Sequence, residues 1–233
     1  MKAIINRKGG YTKLDSIKNT AKAFVYMEPE YRDYGIVSHP FLENRYQSIM
    51  INGSRELVDL AEGDNLNKWR DEFTKKIDNA KDAHSVFLMT SKPYLAGLFK
   101  WVESDLSEKD YGEILSMIWT RVEFPNQDVN VSPSEFKDYF KKANKKSLMQ
   151  EEEYEEYEKL PETITVYRGL QKGATERALS WTLDKNVAEW FANRFDNNGK
   201  VIEGTIEKRY VFAYFDRRNE KEIVLDYTRV TIK

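Results

Sequence analysis

The chain has 233 residues, of which 40% are hydrophobic and 13% aromatic, so it can bury a core and does not have the composition of a disordered protein. Its 37 basic and 39 acidic residues give a net charge of -2, which provides no overall positive field for a long nucleic-acid backbone. There are no cysteines, which excludes disulfides, thiolate metal sites and cysteine nucleophiles. The two histidines, His39 and His84, are too few for a multi-histidine metal site, so no metal is expected.

Hydropathy gives no sign of a membrane segment or a secretory signal. The stretch MKAIINRKGGYTKLD at the start contains no apolar run of the kind that a signal peptide needs. No stretch reaches the roughly 20 apolar residues that span a bilayer. The sequence therefore predicts a protein with no membrane partner that stays in, or acts from, a cytoplasm.

The first part of the chain, residues 1–158, is predicted to be predominantly α-helical, although residues 1–60 show no clear period. From residue 66 onward, apolar residues recur at spacings of three and four, which is the pattern of helices with one buried face. Segments 86–101 and 114–122 continue this pattern. Ser132, Pro133 and Glu135 have the types and spacing of a capping box with proline at the first helical position, so a helix should begin there.

The second part, residues 159–233, is predicted to be rich in strands. The acidic run 151–158 is interpreted as a solvated face that marks the boundary, and Pro161 ends the helical pattern. The hydrophobic period then changes to two, which predicts strands at 163–167, 201–206, 210–215, 223–225 and 230–232. Helices followed by strands indicate an α+β fold.

One helix is predicted inside the second part, from about Lys185, with Asp184 as its N-cap. Its apolar residues predict one buried face. They are Val187, Ala188, Phe191, Ala192 and Phe195. Trp190 is also expected to belong to the core.

Three polar motifs flank the predicted strands of the second part. They are Arg168-Gly169 at the end of the first strand, Ser180-Trp181-Thr182 before the helix, and Glu220-Lys221-Glu222 before the run 223–225. Charged groups at the ends of buried strands need a partner or a ligand. Taken singly, each motif also has an ordinary interpretation as a surface ion pair, a helix cap or an exposed strand edge.

The order of these motifs resembles that of the catalytic domain of ADP-ribosyltransferases of the Arg-Ser-Glu class, the cholera-toxin-like and clostridial-toxin-like enzymes. The resemblance covers residues 160–233, and the middle motif departs from the usual Ser-Thr-Ser of the family. It implies an ADP-ribosyltransferase-like split β-sheet core and a mono-ADP-ribosyltransferase that uses NAD as substrate. It also suggests a toxin- or phage-type transferase that modifies a host protein.

The resemblance implies a role for each motif. Glu222 would be the catalytic carboxylate that stabilises positive charge on the ribose as nicotinamide leaves, and Glu220 would engage the acceptor, which favours arginine. Arg168 would bind the phosphates or ribose of NAD, and Ser180 would hold Glu222 by a hydrogen bond. The other predicted NAD-binding residues are Gly169, Trp181, Thr182, and either Phe191 or Phe195 as a ring that stacks on nicotinamide.

Two alternatives remain at the level of the sequence. The same fold could modify a nucleic acid, which the near-neutral charge disfavours. A non-catalytic module that binds a partner is the other, suggested by the altered middle motif. The His-Tyr-Glu class of ADP-ribosyltransferases is disfavoured because no histidine follows His84, and no glycine-rich phosphate loop is present.

Overall fold

The computed structural model describes residues 10–122, 127–195 and 198–233. The fold is of mixed helix and sheet, consistent with the predicted α+β class. The chain divides into two compact units, Met1–Glu123 and Phe124–Lys233. This division differs from the predicted one at 158/159, because the helices between residues 133 and 159 belong to the same unit as the C-terminal sheet. The acidic run 151–158 is one of these helices.

The first unit contains five α-helices among its described residues: α1 (Leu14–Val25), α2 (Asn65–Asp78), α3 (Ala83–Leu88), α4 (Leu95–Val102) and α5 (Glu108–Arg121). Helices α2 to α5 lie in the regions where the helical period was predicted, whereas α1 lies within residues 1–60, which show no clear period. Pro93 separates α3 from α4. Side-chain caps define two of the starts: Asp82 accepts from the Ser85 N–H, and Ser107 accepts from the Asp110 N–H.

The first unit also contains short strands that the sequence did not predict. Strands β1 (Glu30–Tyr31), β2 (Ile36–His39) and β3 (Leu42–Asn44) form one antiparallel sheet, and β4 (Tyr46–Ile51) pairs with β5 (Ser54–Asp59) as a hairpin. Asn52 and Gly53 form its turn with φ of 48° and 85°. An Asn-Gly pair between two strands is a strong hairpin signal, and it would have identified this element.

The second unit begins with helices α6 (Pro133–Lys142), α7 (Lys145–Leu148) and α8 (Glu151–Lys159). The predicted capping box at the start of α6 is confirmed. The Ser132 hydroxyl accepts from the Glu135 N–H, and the Glu135 carboxylate accepts from the Ser132 N–H at 2.9 Å. Helix α9 (Lys185–Asn193) lies further along the chain, and Asp184 caps it as predicted by accepting from the Asn186 N–H.

A single antiparallel sheet forms the centre of the second unit. Its strands are β6 (Thr163–Leu170), β7 (Ser180–Thr182), β8 (Lys200–Glu207), β9 (Val211–Phe215), β10 (Glu222–Leu225) and β11 (Thr231–Ile232), in the order β11-β8-β6-β7-β10-β9. Strands β6 and β8 pair along the whole of β6. Among the described residues, β6 and β7 meet at the single pair Tyr167–Thr182. The sheet therefore opens between β6 and β7 immediately after Tyr167.

Within the three described ranges, none of the helices combines the length and the apolar character needed to cross a membrane.

Candidate active site

Ser180 and Glu222 meet across neighbouring strands. Each is the first residue of its strand, and β7 and β10 pair so that Glu222 lies opposite Thr182 and Val224 lies opposite Ser180. The Ser180 hydroxyl donates a hydrogen bond of 2.6 Å to Oε1 of Glu222, whose side chain is 7% exposed. A hydrogen bond to a buried carboxylate fixes its rotamer and supports its charge. The predicted contact between these two residues is present.

Arg168 lies where β6 and β7 separate. Its Nη1 donates to the carbonyl oxygen of Ser180 at 2.6 Å, in place of strand pairing that has ended at Tyr167. Burial lowers the pKa of Arg168 to about 10, partly opposed by the Glu222 carboxylate. The guanidinium is therefore still charged at neutral pH. Its Nε is buried and has no hydrogen-bond partner among the described residues.

Glu220 and Glu222 both approach one guanidinium, that of Arg218. Its Nη2 lies 2.8 Å from Oε2 of Glu220 and 3.6 Å from Oε2 of Glu222. The two carboxylates therefore converge, as the resemblance implies. Arg218 itself was not predicted as a site residue, although its position two residues before Glu220 placed it on the same short loop.

The convergence of the two carboxylates depends on an unusual loop and not on extended backbone. Asn219 and Lys221 both have positive φ, 55° and 44°, and a lysine rarely adopts this left-handed conformation. Two hydrogen bonds hold the loop in place. The Lys221 N–H donates to Asp216 Oδ1, and the Leu183 N–H donates to the Lys221 carbonyl, each at 3.0 Å.

Thr182 also holds this loop. Its hydroxyl donates to the Glu220 carbonyl at 2.7 Å and accepts from the Asp184 N–H at 3.0 Å. Thr182 therefore connects the start of α9 to the loop that carries the glutamates. The structure supports a positioning role for Thr182 near the site.

Trp181 and Thr182, both predicted to bind NAD, are successive residues of β7 and point to opposite faces of the sheet. The Trp181 ring is buried, its Nε1 donates to the Ala178 carbonyl at 2.9 Å, and it borders a hollow of about 430 Å³ together with Tyr227 and Val230. None of Arg168, Ser180 and Glu222 is among the residues that line this hollow.

Gly169 serves helix packing, whereas the sequence suggested that it admits a ligand. A Cβ built on Gly169 would stand 2.6 Å from the Ala192 backbone nitrogen and closer still to the Ala188 carbonyl oxygen. Helix α9 therefore lies directly against β6, which only a glycine permits at this position. The place where a ligand was predicted to approach is occupied by the backbone of α9.

Two aromatic residues in and just after α9 are exposed, contrary to their predicted burial. Trp190 and Phe195 are 57% and 65% exposed, and the Arg194 guanidinium lies over both rings. Phe191 is half-buried, and its Cβ is 3.0 Å from the position that a Gly169 Cβ would take. Of the two predicted stacking rings, Phe191 is thus the one that contacts the Arg168-Gly169 motif.

A buried ion pair anchors the loop of residues 216–221, here called the glutamate loop, to α8. Arg217 donates from Nε and Nη2 to the two carboxylate oxygens of Glu153, at 3.2 and 3.1 Å. Glu153 also accepts from the Asp216 N–H at 3.1 Å, and it is 5% exposed. Sequence reasoning missed Glu153, because it treated the run 151–158 as solvated.

No protein-family model matches the chain, and neither the curated proteins nor the solved structures provide a significant match. The geometry of the site is therefore the basis for a functional proposal.

Proposed function

We propose that the protein is a mono-ADP-ribosyltransferase that transfers ADP-ribose from NAD to an arginine side chain of a protein and releases nicotinamide. The core of the second unit is then an ADP-ribosyltransferase-like split sheet, opened between β6 and β7. The observation that carries the proposal is the hydrogen bond from Ser180 to the buried Glu222 carboxylate beside Arg168. These residues are far apart in the chain and come from three different strands.

The carboxylate of Glu222 suits the bond cleavage. When the bond between nicotinamide and ribose breaks, positive charge spreads over the ribose ring, and a fixed carboxylate stabilises this charge. Burial strengthens the interaction because little water screens it. The Ser180 hydroxyl holds the carboxylate in one orientation, so less reorganisation is needed at the transition state.

The guanidinium of Arg168 suits the dinucleotide. It carries a planar set of donors that match phosphate or ribose oxygens, and it remains charged despite its burial. The contact with the Ser180 carbonyl orients the group beside the site. Arg168 therefore binds NAD and at the same time fixes the strand that carries Ser180.

The pair of Glu220 and Glu222 supports arginine as the acceptor. In the structure the two carboxylates already hold a guanidinium, that of Arg218. An incoming arginine side chain finds the same charge complementarity, and Glu220 can take the proton that it loses. The choice of a host protein as target, and of a phage- or toxin-type enzyme that acts in a host cytoplasm, rests on the resemblance of the motifs alone.

The test is to incubate the purified protein with a cell lysate and NAD that is labelled in its adenylate half. We expect label in protein bands, and we expect it to be lost in Glu222→Gln but retained in Glu207→Gln, a matched change at an exposed glutamate of β8. Label that nuclease removes and protease does not would instead favour a nucleic-acid acceptor. If the wild-type protein cleaves no NAD, the proposal is wrong, and the result favours the alternative of a non-catalytic module that binds a partner.

A further inference from the structure

Arg218 occupies the position between the two carboxylates of the site. Its Nη2 lies 2.8 Å from Glu220 Oε2 and 3.6 Å from Glu222 Oε2. The Arg218 side chain is 45% exposed, whereas those of Glu220 and Glu222 are 22% and 7% exposed. A guanidinium that solvent can reach is therefore held against the most buried acid of the site.

We propose that Arg218 is a self-modification site, which accepts ADP-ribose from an NAD molecule bound at its own active site. This inference rests on the function proposed above. In the reaction the bond between ribose C1′ and the nicotinamide nitrogen breaks, and its electron pair leaves with nicotinamide. A nitrogen of Arg218 forms the new bond to C1′, and the guanidinium loses one proton to Glu220, from which it passes to water.

The loop keeps Arg218 at this position. Its neighbours Asn219 and Lys221 have left-handed backbone, and Arg217 is tied to Glu153 on α8. A nucleophile held in this way reacts at a high effective concentration, since no encounter with a second molecule is needed. The adjacent Arg217 faces the opposite way, toward Glu153, so it is not a competing acceptor in the same loop.

Modification of Arg218 would also lower the activity of the enzyme toward other acceptors. An ADP-ribosyl group on Arg218 places a bulky dianion beside Glu220 and Glu222, where an acceptor guanidinium must bind. We therefore expect transfer to other arginine side chains to decline as self-modification proceeds.

The experiment uses the purified full-length protein with NAD and no other acceptor. We expect the intact mass to increase by one ADP-ribosyl group, and fragmentation to locate it at Arg218. The fraction modified per minute should not change over a tenfold dilution of the protein, because the reaction is intramolecular. Arg218→Lys should lose this modification, and Arg177→Lys, a change at an exposed arginine of the same unit, should retain it.

Modification at another residue, a rate that falls with dilution, or an unchanged Arg218→Lys would each overturn the inference. A small guanidine such as agmatine separates this failure from failure of the proposed function. If wild-type protein modifies agmatine but not itself, the function stands and the inference is wrong; if it cleaves no NAD at all, both fail. Agmatine should also bind Arg218→Ala at least several-fold more tightly than wild type in calorimetry without NAD, and equal binding would contradict the position assigned to Arg218.

Discussion

The Ser180 hydroxyl donates a hydrogen bond of 2.6 Å to Oε1 of Glu222, and the two residues are 42 positions apart in the chain. They are diagonal neighbours in the antiparallel pair of β7 and β10, in which Glu222 lies opposite Thr182 and Val224 lies opposite Ser180, so the contact ties the two strands together. Arg168, which lies on β6, donates a hydrogen bond to the Ser180 carbonyl. Ser180 is thus the residue through which the guanidinium and the carboxylate of the site are connected.

Removal of the Ser180 hydroxyl should impair catalysis more than NAD binding. In Ser180→Ala the Glu222 carboxylate loses the donor that orients it, and we expect kcat for NAD cleavage to fall on the order of 100-fold, the cost of misplacing a catalytic group. KM for NAD should change much less, because Arg168 contacts only the backbone of residue 180. Steady-state kinetics measure both quantities. Ser147→Ala in α7 is the control, and an unchanged kcat in Ser180→Ala would show that the hydrogen bond does not serve the reaction.

A methyl group at Gly169 should destabilise the second unit. Its Cβ would meet the backbone of α9 at Ala192 and Ala188, so the helix must move away from β6. We expect Gly169→Ala to cost about 3 kcal/mol in the free energy of unfolding, the upper end for overpacking. Chemical denaturation measures this loss, and hydrogen exchange should locate it in α9.

Gly173→Ala provides the comparison for that change. Gly173 has a φ of 81° but open space around it, so alanine there should cost only the backbone strain, about 1 kcal/mol. A loss in Gly169→Ala no larger than that in Gly173→Ala would contradict the overpacking expected against α9.

The close packing at Gly169 also explains why the burial of α9 was predicted incorrectly. Because the helix lies so near β6, the small residues Ala188 and Ala192 face the sheet, and Trp190 is left exposed. The helix ends at Asn193, so Phe195 lies beyond the periodic segment and does not follow its pattern. Hydrophobic period predicted the helix and its cap but not the distance at which it packs.

The sequence indicated the motifs of the candidate site but not the contacts that hold these motifs in place. The resemblance of the motifs indicated Arg168, Ser180 and Glu222, and the structure shows that Ser180 contacts both of the others. The positions of Arg218 and Glu153 depend on contacts between distant segments and on the left-handed conformation of Lys221, and no local preference indicates these. The approach of Glu220 to Glu222 likewise depends on the left-handed conformation of Asn219 and Lys221.

Loss of the Glu153 charge should loosen the glutamate loop. In Glu153→Gln, Arg217 and the Asp216 N–H lose their carboxylate partner, and we expect a cost of about 1–3 kcal/mol, the value of hydrogen bonds to a charged group. Amide exchange at Asp216 and Lys221 should accelerate, and kcat should fall because Glu220 and Glu222 are less well placed. Glu152→Gln, an exposed change on the same helix, is the control. A stability loss with unaltered exchange in the loop would restrict Glu153 to a role in α8.

His39 should make the stability of the first unit depend on pH. The residue is 1% exposed, its Nδ1 accepts from the Phe41 N–H at 3.1 Å, and the edge of its ring meets Trp69 at a centroid distance of 5.6 Å. Burial lowers its pKa from 6.5 to about 4, and the nearby carbonyls of Val25 and Met27 oppose this only in part. The folded protein therefore keeps this histidine neutral where the unfolded chain would protonate it.

The sign of the effect follows from proton binding. Between pH 6.5 and about 4 the unfolded state binds a proton at His39 that the folded state does not, so stability falls as the pH decreases through this window and levels off below it. The total loss is about 3 kcal/mol, from about 1.4 kcal/mol per pKa unit. Denaturation at a series of pH values measures the slope, which His39→Gln should abolish in this window and His84→Gln should preserve. A slope that persists in His39→Gln would assign the acid sensitivity to other groups.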